Sequence, residues 1–126
     1  MADEILAEVA LRAIKGAVNF DRRVQSIITM VGETAVAGAY TVPADPTDAV
    51  AIPLGDVPLA WLGLCMIALP STAAHAVDIG TGLAPQVAFL TVQPGEAILV
   101  RFHLDAVPTW KTVTTEVTCE LILLEH

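Results

Sequence analysis

The C-terminal stretch Thr115–Leu124, TEVTCELILL, decides the fold class of this 126-residue chain. Along it, apolar and polar side chains alternate with a period of two, which is the pattern of a strand with one buried face. The apolar members are Val117, Cys119, Leu121 and Leu123, and the polar members are Glu116, Thr118 and Glu120. The sequence therefore predicts a half-buried terminal strand.

Two further strands are predicted immediately upstream, joined by a tight turn. Glu96–Leu104 alternates in the same way, with Phe102 on the apolar side and His103 on the other. Gln93–Glu96 (QPGE) is typical of a type II turn, because proline presets φ at the second position and glycine allows a positive φ at the third. Gln86–Val92, which precedes the turn, is rich in β-branched and aromatic residues.

The central part of the chain is divided into short pieces by proline and glycine. Leu59–Leu69 is apolar at nearly every position, which is typical of a strand covered on both faces or of a buried helix; its flanking prolines favour the strand. His75–Gly80 is a shorter candidate strand. Between Pro43 and Pro58 we expect a loop-rich connection, with Ala49–Leu54 as a short edge strand.

The N-terminal third supports two interpretations. Glu4–Lys15 (EILAEVALRAIK) is rich in helix formers and has an acceptable helical face. The same residues also alternate, with apolar side chains at every second position from Ile5 to Ala13. Val18–Val31 reads as a strand that follows a turn at Gly16. With at least six strands expected downstream, we predict strands here too.

These elements add up to eight or nine strands with hairpin-like punctuation and no alternation of strands with helices. The sequence predicts an all-β fold, an antiparallel β-sandwich of the jelly-roll type. Residues 1–126 are expected to form a single domain, with residues 2–15 as an N-terminal arm or first strand.

The composition points to subunit contacts. Apolar residues make up 55% of the chain and charged residues 16%, with a mean hydropathy of +0.67, which exceeds the apolar usage of an ordinary soluble domain. The longest apolar run, Val57–Leu69, is well short of the ~20 residues of a membrane-spanning helix, and the start MADE does not resemble a secretory signal. We therefore expect the apolar excess to lie in subunit interfaces rather than in a membrane.

The net charge of −8, from 14 acidic and 6 basic residues, argues against nucleic acid as a partner, because few lysines and arginines are available to displace counterions. The same excess of negative charge keeps an apolar chain soluble before assembly.

No pattern of catalytic or metal-binding residues is present in the sequence. His75, His103 and His126 are isolated from one another, and the last three residues, LEH, are either native or the start of a purification tag. Cys65 and Cys119 match no zinc spacing, and we expect buried, reduced thiols rather than a disulfide. We therefore predict no enzymatic activity, no metal and no cofactor.

The second half of the chain carries a resemblance. The strand Leu59–Leu69, the polar break Pro70–Ala74, the segment Val77–Gly80 (VDIG), the turn Pro94–Glu96 and the final strand together resemble a pattern of small jelly-roll virion proteins of tailed double-stranded DNA bacteriophages. The similarity extends from Gly55 to the C-terminus. Where such proteins have an asparagine-rich corner, this chain has PSTAAH.

The resemblance implies a decoration, or cement, protein that stabilises the head lattice on the capsid surface, assembled in the cytoplasm of the host bacterium. The implied partners are the major capsid protein and other copies of the chain, as a homotrimer. The alternative is a tail or baseplate module that contacts host carbohydrate. The residues expected at the interface are Ile5, Val9, Leu11 and Trp110. For the apolar residues of the N-terminal arm, packing in the core of the domain is an equal alternative. Trp110 is the aromatic residue expected to be exposed for sugar binding.

Overall fold

A computed structural model describes residues 4–29, 35–45, 48–102 and 107–125. Its residues divide into two compact units, Met1–Glu33 and Thr34–His126. Strands account for 64% of the structure, and the described residues contain no α-helix. The predicted all-β, antiparallel sandwich is thus confirmed, and this part of the chain holds ten strands in place of the expected eight or nine.

The first unit is a two-stranded antiparallel ribbon made of β1 (Glu4–Lys15) and β2 (Val18–Thr29). The strands pair without a register shift from Glu4 opposite Thr29 to Lys15 opposite Val18. Gly16 has a φ of +58° at the first position of the two-residue turn, where a type II′ hairpin turn favours glycine. The alternation of β1, and not its helix propensity, thus matches the structure, and the predicted strand is confirmed.

Within residues 35–45, 48–102 and 107–125, the second unit forms eight strands in two four-stranded sheets. Sheet I has the order β3-β10-β5-β8, and sheet II has the order β4-β9-β6-β7. The strands are β3 (Ala35–Val42), β4 (Val50–Ala51), β5 (Leu62–Ala68), β6 (Val77–Thr81), β7 (Val87–Val92), β8 (Ala97–Arg101), β9 (Pro108–Lys111) and β10 (Val117–Glu125). A single 3-10 turn, Leu59–Trp61, precedes β5.

The pairing of these eight strands follows a simple rule. The first strand of the unit, β3, pairs with the last, β10; β4 pairs with β9, β5 with β8, and β6 with β7. All these pairings are antiparallel. Consecutive strands otherwise lie in different sheets, so that β6 and β7 are the one pair of successive strands that share a sheet.

The core of the second unit lies between the two sheets. In β10 the side chains of Val117, Cys119, Leu121 and Leu123 are buried, as the alternation predicts, while Glu120 is exposed. Sheet II contributes its own buried side chains, among them Ile52, Val77, Ile79, Val92 and Trp110. Burying one face of each strand in this way is what makes a sheet pair stable.

The turn and strand predicted around residue 95 are confirmed. Gly95 has a φ of +84°, and the Glu96 amide donates a hydrogen bond to the Gln93 carbonyl at 3.0 Å. In β8 the alternation holds as far as Phe102, which is buried. His103 and Leu104, which the sequence places at the end of this strand, lie outside the described residues.

Two strands were not predicted, and a third extends past its predicted end. β3 is built largely from alanine, glycine and valine, which gives little contrast between its faces, and β9 has four residues and begins with proline. Gly80, the last residue of the predicted strand His75–Gly80, is followed in β6 by Thr81. The pairing of β6 with β7 shifts register between Ile79 and Gly80.

Candidate functional site

The ribbon carries the largest collection of exposed apolar side chains among the described residues. Eight large aliphatic or aromatic side chains on β1 and β2 are between 50% and 67% exposed: Leu6, Val9, Leu11, Ile14, Val18, Phe20, Val24 and Ile27. Clustered exposure of this kind, unlike a single exposed leucine, is typical of an interaction surface. The ribbon is therefore the candidate contact element of the chain.

The pairing of β1 with β2 distributes these residues between two faces. One face, here called the apolar face, carries the pair Val9 and Val24 and the pair Ala13 and Phe20, with Leu11 opposite Arg22. The opposite face, here called the mixed face, alternates charged and aliphatic positions. Residues directly opposite each other share a face in an antiparallel sheet, so the apolar character follows from register as well as from composition.

The mixed face is held by a small polar network. The Glu8 carboxylate accepts a hydrogen bond from the Gln25 side-chain amide and forms an ion pair with Arg23, whose Nε lies 3.3 Å from Glu8 Oε1. Both partners of the ion pair are exposed, and such pairs contribute little to stability in water. These contacts link the side chains of β1 and β2 across the mixed face and leave the eight exposed apolar side chains of the ribbon uncovered.

Each strand of the ribbon has one edge with no strand beside it among the described residues, because the sheet has two strands only. An open edge presents backbone N–H and C=O groups that can pair with another chain. An isolated two-stranded hairpin is at best marginally stable in water, and additional strands or a covered face stabilise it. The ribbon thus offers both an apolar face and two open edges for contacts.

Charge is unevenly distributed along the sequence. Residues 4–29 hold four of the six basic residues against three acidic ones, whereas residues 34–126 hold nine acidic residues against two basic ones. The sandwich sequence is therefore strongly acidic, with a net charge of −7, and the ribbon is close to neutral. The ribbon itself therefore adds little like-charge repulsion to an association of two copies.

The four residues predicted at an interface occupy different environments. Val9 and Leu11 are 55% and 60% exposed, and Ile5 is buried. Trp110 is 1% exposed in the core of the second unit, so its expected exposure is wrong. The flanking proline and lysine suggested a surface segment, but the segment forms β9, an inner strand of sheet II. The carbohydrate-binding alternative loses the aromatic residue on which it depended.

The two cysteines are buried and are not joined by a disulfide. Cys65 lies opposite Leu123 and Cys119 lies opposite Tyr40, so the two thiols are not cross-strand neighbours. Burial raises the pKa of Cys65 to about 12, with a smaller contribution from the charge of Cys119. Burial likewise raises the pKa of Cys119 to about 11, although a backbone hydrogen bond partly opposes the shift. Both groups are poor nucleophiles at neutral pH.

We expect both thiols to resist an aromatic disulfide reagent at pH 8 in the folded protein and to react once the protein is unfolded in denaturant. Rapid labelling of the thiols in the native protein would contradict their burial.

The raised pKa values of the two thiols also predict a pH dependence of stability. Below pH 9, the two thiols contribute no change with pH to the free energy of unfolding. It falls as the pH rises from 9 through 11 and 12, since the unfolded thiols lose protons first.

The histidine, cysteine and acidic side chains of the described residues do not cluster into a metal-binding group. None of their His, Cys, Asp and Glu side chains form a group of three or more that could hold a metal ion. His75 is exposed, and His103 and His126 lie outside the described residues. Two shallow cavities of about 310 and 300 Å³ are lined mainly by apolar side chains, such as Phe89 and Val100 in the first and Leu83 and Val107 in the second.

Comparison with known proteins gives no relatives: no family model, no curated protein and no solved structure matches this chain. Within the described ranges, no helix has the length and apolar character needed to span a bilayer. Functional inference therefore depends on the ribbon and on the fold.

Proposed function

We propose that this chain is a structural subunit of a bacteriophage particle, a decoration protein that stabilises the head lattice through contacts with the major capsid protein and with other copies of itself. Its role in this proposal is binding, without catalysis. The observation that carries the proposal is the ribbon, which combines eight exposed apolar side chains with two open strand edges. In the particle it acts at the capsid surface, after synthesis in the host cytoplasm.

The strand order supports the fold that the resemblance implies. We infer that the sandwich is a jelly roll, in which a long antiparallel hairpin of four strand pairs is rolled into two sheets. The pairs β3 with β10, β4 with β9, β5 with β8 and β6 with β7 have this relation. A jelly roll is compatible with many functions, so the fold supports the proposal without carrying it.

The energetics of the ribbon suit a protein that is soluble alone and binds a lattice. A ribbon of 12-residue strands is about 40 Å long, and one face of it can bury about 400 Å² of apolar surface. At about 25 cal/mol per Å², this burial yields roughly 10 kcal/mol. That gain is of the order of the cost of association for one contact, and contacts with several lattice neighbours add to it.

The proposal is tested with particles of the phage that encodes the chain. Heads assembled without this protein are mixed with the purified chain and sedimented, and binding is measured as the amount of chain in the pellet. We expect saturable binding and a gain in the heat resistance of the heads. Absence of saturable binding to heads would overturn the assignment to the head.

A matched pair of variants ties binding to the apolar face. Val9→Thr combined with Val24→Thr preserves side-chain shape on the ribbon but removes apolar surface, and we expect a loss of affinity of roughly tenfold or more. Val113→Thr is the control, because Val113 is 48% exposed in the second unit, outside any strand. Equal affinity for both variants would remove the apolar face from the contact.

A further inference from the structure

We propose that two copies of the chain pair through the open edges of β1, antiparallel, in the register that places Glu8 of one copy opposite Arg12 of the other. The contact joins two ribbons into a four-stranded sheet with two-fold symmetry. This two-fold contact specifies how copies of the chain associate in the proposed function. It rests on that self-association alone and does not depend on which lattice protein the chain binds.

The backbone groups available at this edge follow from the turn. A two-residue turn makes Lys15 and Val18 a hydrogen-bonded pair, and such pairs alternate with non-hydrogen-bonded ones along an antiparallel ladder. The odd-numbered residues of β1 therefore bond to β2. The even-numbered ones, from Glu4 to Ile14, direct their N–H and C=O groups to the open edge. A second β1 can bond to these groups.

The sequence of β1 is self-complementary in one register. When Ala10 lies opposite Ala10 of the second copy, Glu8 lies opposite Arg12 and Leu6 lies opposite Ile14 on the mixed face. On the apolar face, Val9 then lies opposite Leu11 and Ala7 opposite Ala13. Opposite charges and matched aliphatic residues across strands each add stability. Because of the two-fold axis, each pair formed by two different positions, such as Glu8 and Arg12, occurs twice in the contact.

Neighbouring registers lack this match. Centring the pair on Val9 or on Leu11 places Glu8 and Arg12 opposite aliphatic residues. Centring it on Arg12 places Arg12 opposite its own copy. Centring it on Glu8 pairs Arg12 with Glu4 but places Glu8 opposite Glu8. Like charges directly opposite are destabilising. The charge pattern of β1 therefore selects the register centred on Ala10.

The open edge of β2 is less complementary to itself than the edge of β1. Registers centred on Asp21, Arg22 or Arg23 set that charge against its own copy; the one centred on Arg22 pairs Asp21 with Arg23 but also places Arg22 opposite Arg22. The register centred on Val24 leaves all three charges opposite uncharged side chains. The difference between the two edges identifies β1 as the edge that meets a second copy.

The size of the contact is adequate for a specific association. Overlap of residues 5–15 of the two strands gives about ten main-chain hydrogen bonds in addition to the side-chain pairs. The pairing also converts two marginal two-stranded ribbons into one four-stranded sheet with an apolar face, and sheets of three or more strands with such a face are more stable than an isolated hairpin. The apolar face stays open in this sheet, so the edge serves copies of the chain while the face serves the lattice.

Cysteine cross-linking tests the register. Ala7→Cys and Ala13→Cys are made separately in the full chain, whose native thiols are buried. Mixed and mildly oxidised, the two variants are expected to form a disulfide-linked heterodimer, because residues 7 and 13 are directly opposite in the proposed sheet. Each variant alone is expected to cross-link at least tenfold less, since residue 7 lies about 20 Å from its own copy along the strand. Equal or greater cross-linking of either variant alone would overturn the register.

Proline substitution tests which edge is used. Ala10→Pro removes an N–H group that points to the open edge of β1 while leaving the bonds to β2 intact, as edge prolines do. Two intermolecular hydrogen bonds are lost per pair of copies, and we expect the dissociation constant to rise by roughly tenfold or more. Asn19→Pro, at an outward position of β2, is the matched control and leaves the dissociation constant unchanged. Equal effects of the two prolines would overturn the assignment to β1.

The outcomes separate this inference from the proposed function. If residues 7 and 13 of two copies cross-link but the chain does not sediment with heads, the two-fold contact stands and the capsid role is refuted. Sedimentation with heads by a chain that never cross-links between positions 7 and 13 refutes the two-fold contact alone.

Discussion

Replacing Gly80 with alanine is expected to lower the free energy of unfolding of the sandwich by about 3 kcal/mol. A Cβ atom at this position would lie 2.0 Å from the carbonyl oxygen of Val87 and 2.7 Å from the Cα of Ala88. Both are backbone atoms of β7, so no side-chain rotation can relieve the overlap. The two strands must separate or shift where β6 and β7 change register, and urea unfolding measures the cost.

The neighbouring residue supplies the control. Thr81 follows Gly80 in β6 and is half-buried, and Thr81→Ala removes atoms instead of adding one. We expect a change below about 1 kcal/mol for this variant, as for most substitutions that create neither a large cavity nor an unpaired polar group. A loss for Gly80→Ala no greater than that for Thr81→Ala would show that β6 and β7 are not in the close contact described above.

Truncating Trp110 to alanine is expected to have an effect of similar or greater size, about 4 kcal/mol. Trp110 is the largest of the fully buried side chains in the core between the sheets. Its removal leaves a cavity that the inner strand β9, paired on both sides with β4 and β6, cannot collapse to fill. The measurement is again the free energy of unfolding in urea.

Trp110→Phe is the matched variant, since it retains an aromatic ring in the same core. We expect a loss of about 1–2 kcal/mol, the usual cost of a change of shape in a packed interior. A surface tryptophan that binds a ligand would behave differently, with both variants leaving stability within about 0.5 kcal/mol of the parent. That result would restore the exposure that the sequence suggested and contradict the structure.

Much of the sandwich could be predicted from local pattern. The alternation of β10, the type II turn before β8 and the run of apolar residues in β5 each identify an element because each depends on neighbouring residues only. β1 is more instructive, since its residues favour a helix by propensity. Its apolar residues at every second position from Ile5 to Ala13 agree with the strand, and pairing with β2 overrides a propensity of a few tenths of a kcal/mol per residue.

The remaining features depend on contacts that are distant in sequence. β9 is too short to show a period, and its place between β4 and β6 buries a tryptophan that its polar neighbours suggested was exposed. The need for glycine at position 80 likewise arises from the approach of β7 and not from a turn. Local sequence could not reveal either feature.

The candidate site was predicted in part. The sequence suggested Val9 and Leu11 as contact residues from composition and position, and the structure places both on an exposed face of the ribbon. The sequence could not indicate Phe20 and Val24, because their exposure depends on the pairing of β2 with β1 in a two-stranded sheet. The self-complementarity of β1 is present in its sequence, but it has meaning only once the edge of that strand is known to be open.

The most direct test of the account is the molar mass of the purified chain in solution, measured by light scattering across a range of concentrations. We expect a mass above the 13.2 kDa of one chain, an even multiple of it, that declines towards 13.2 kDa on dilution. A mass of 13.2 kDa at every concentration up to roughly 1 mM, where an association worth only about 4 kcal/mol would already be visible, would contradict the claim that the ribbon joins copies of this protein.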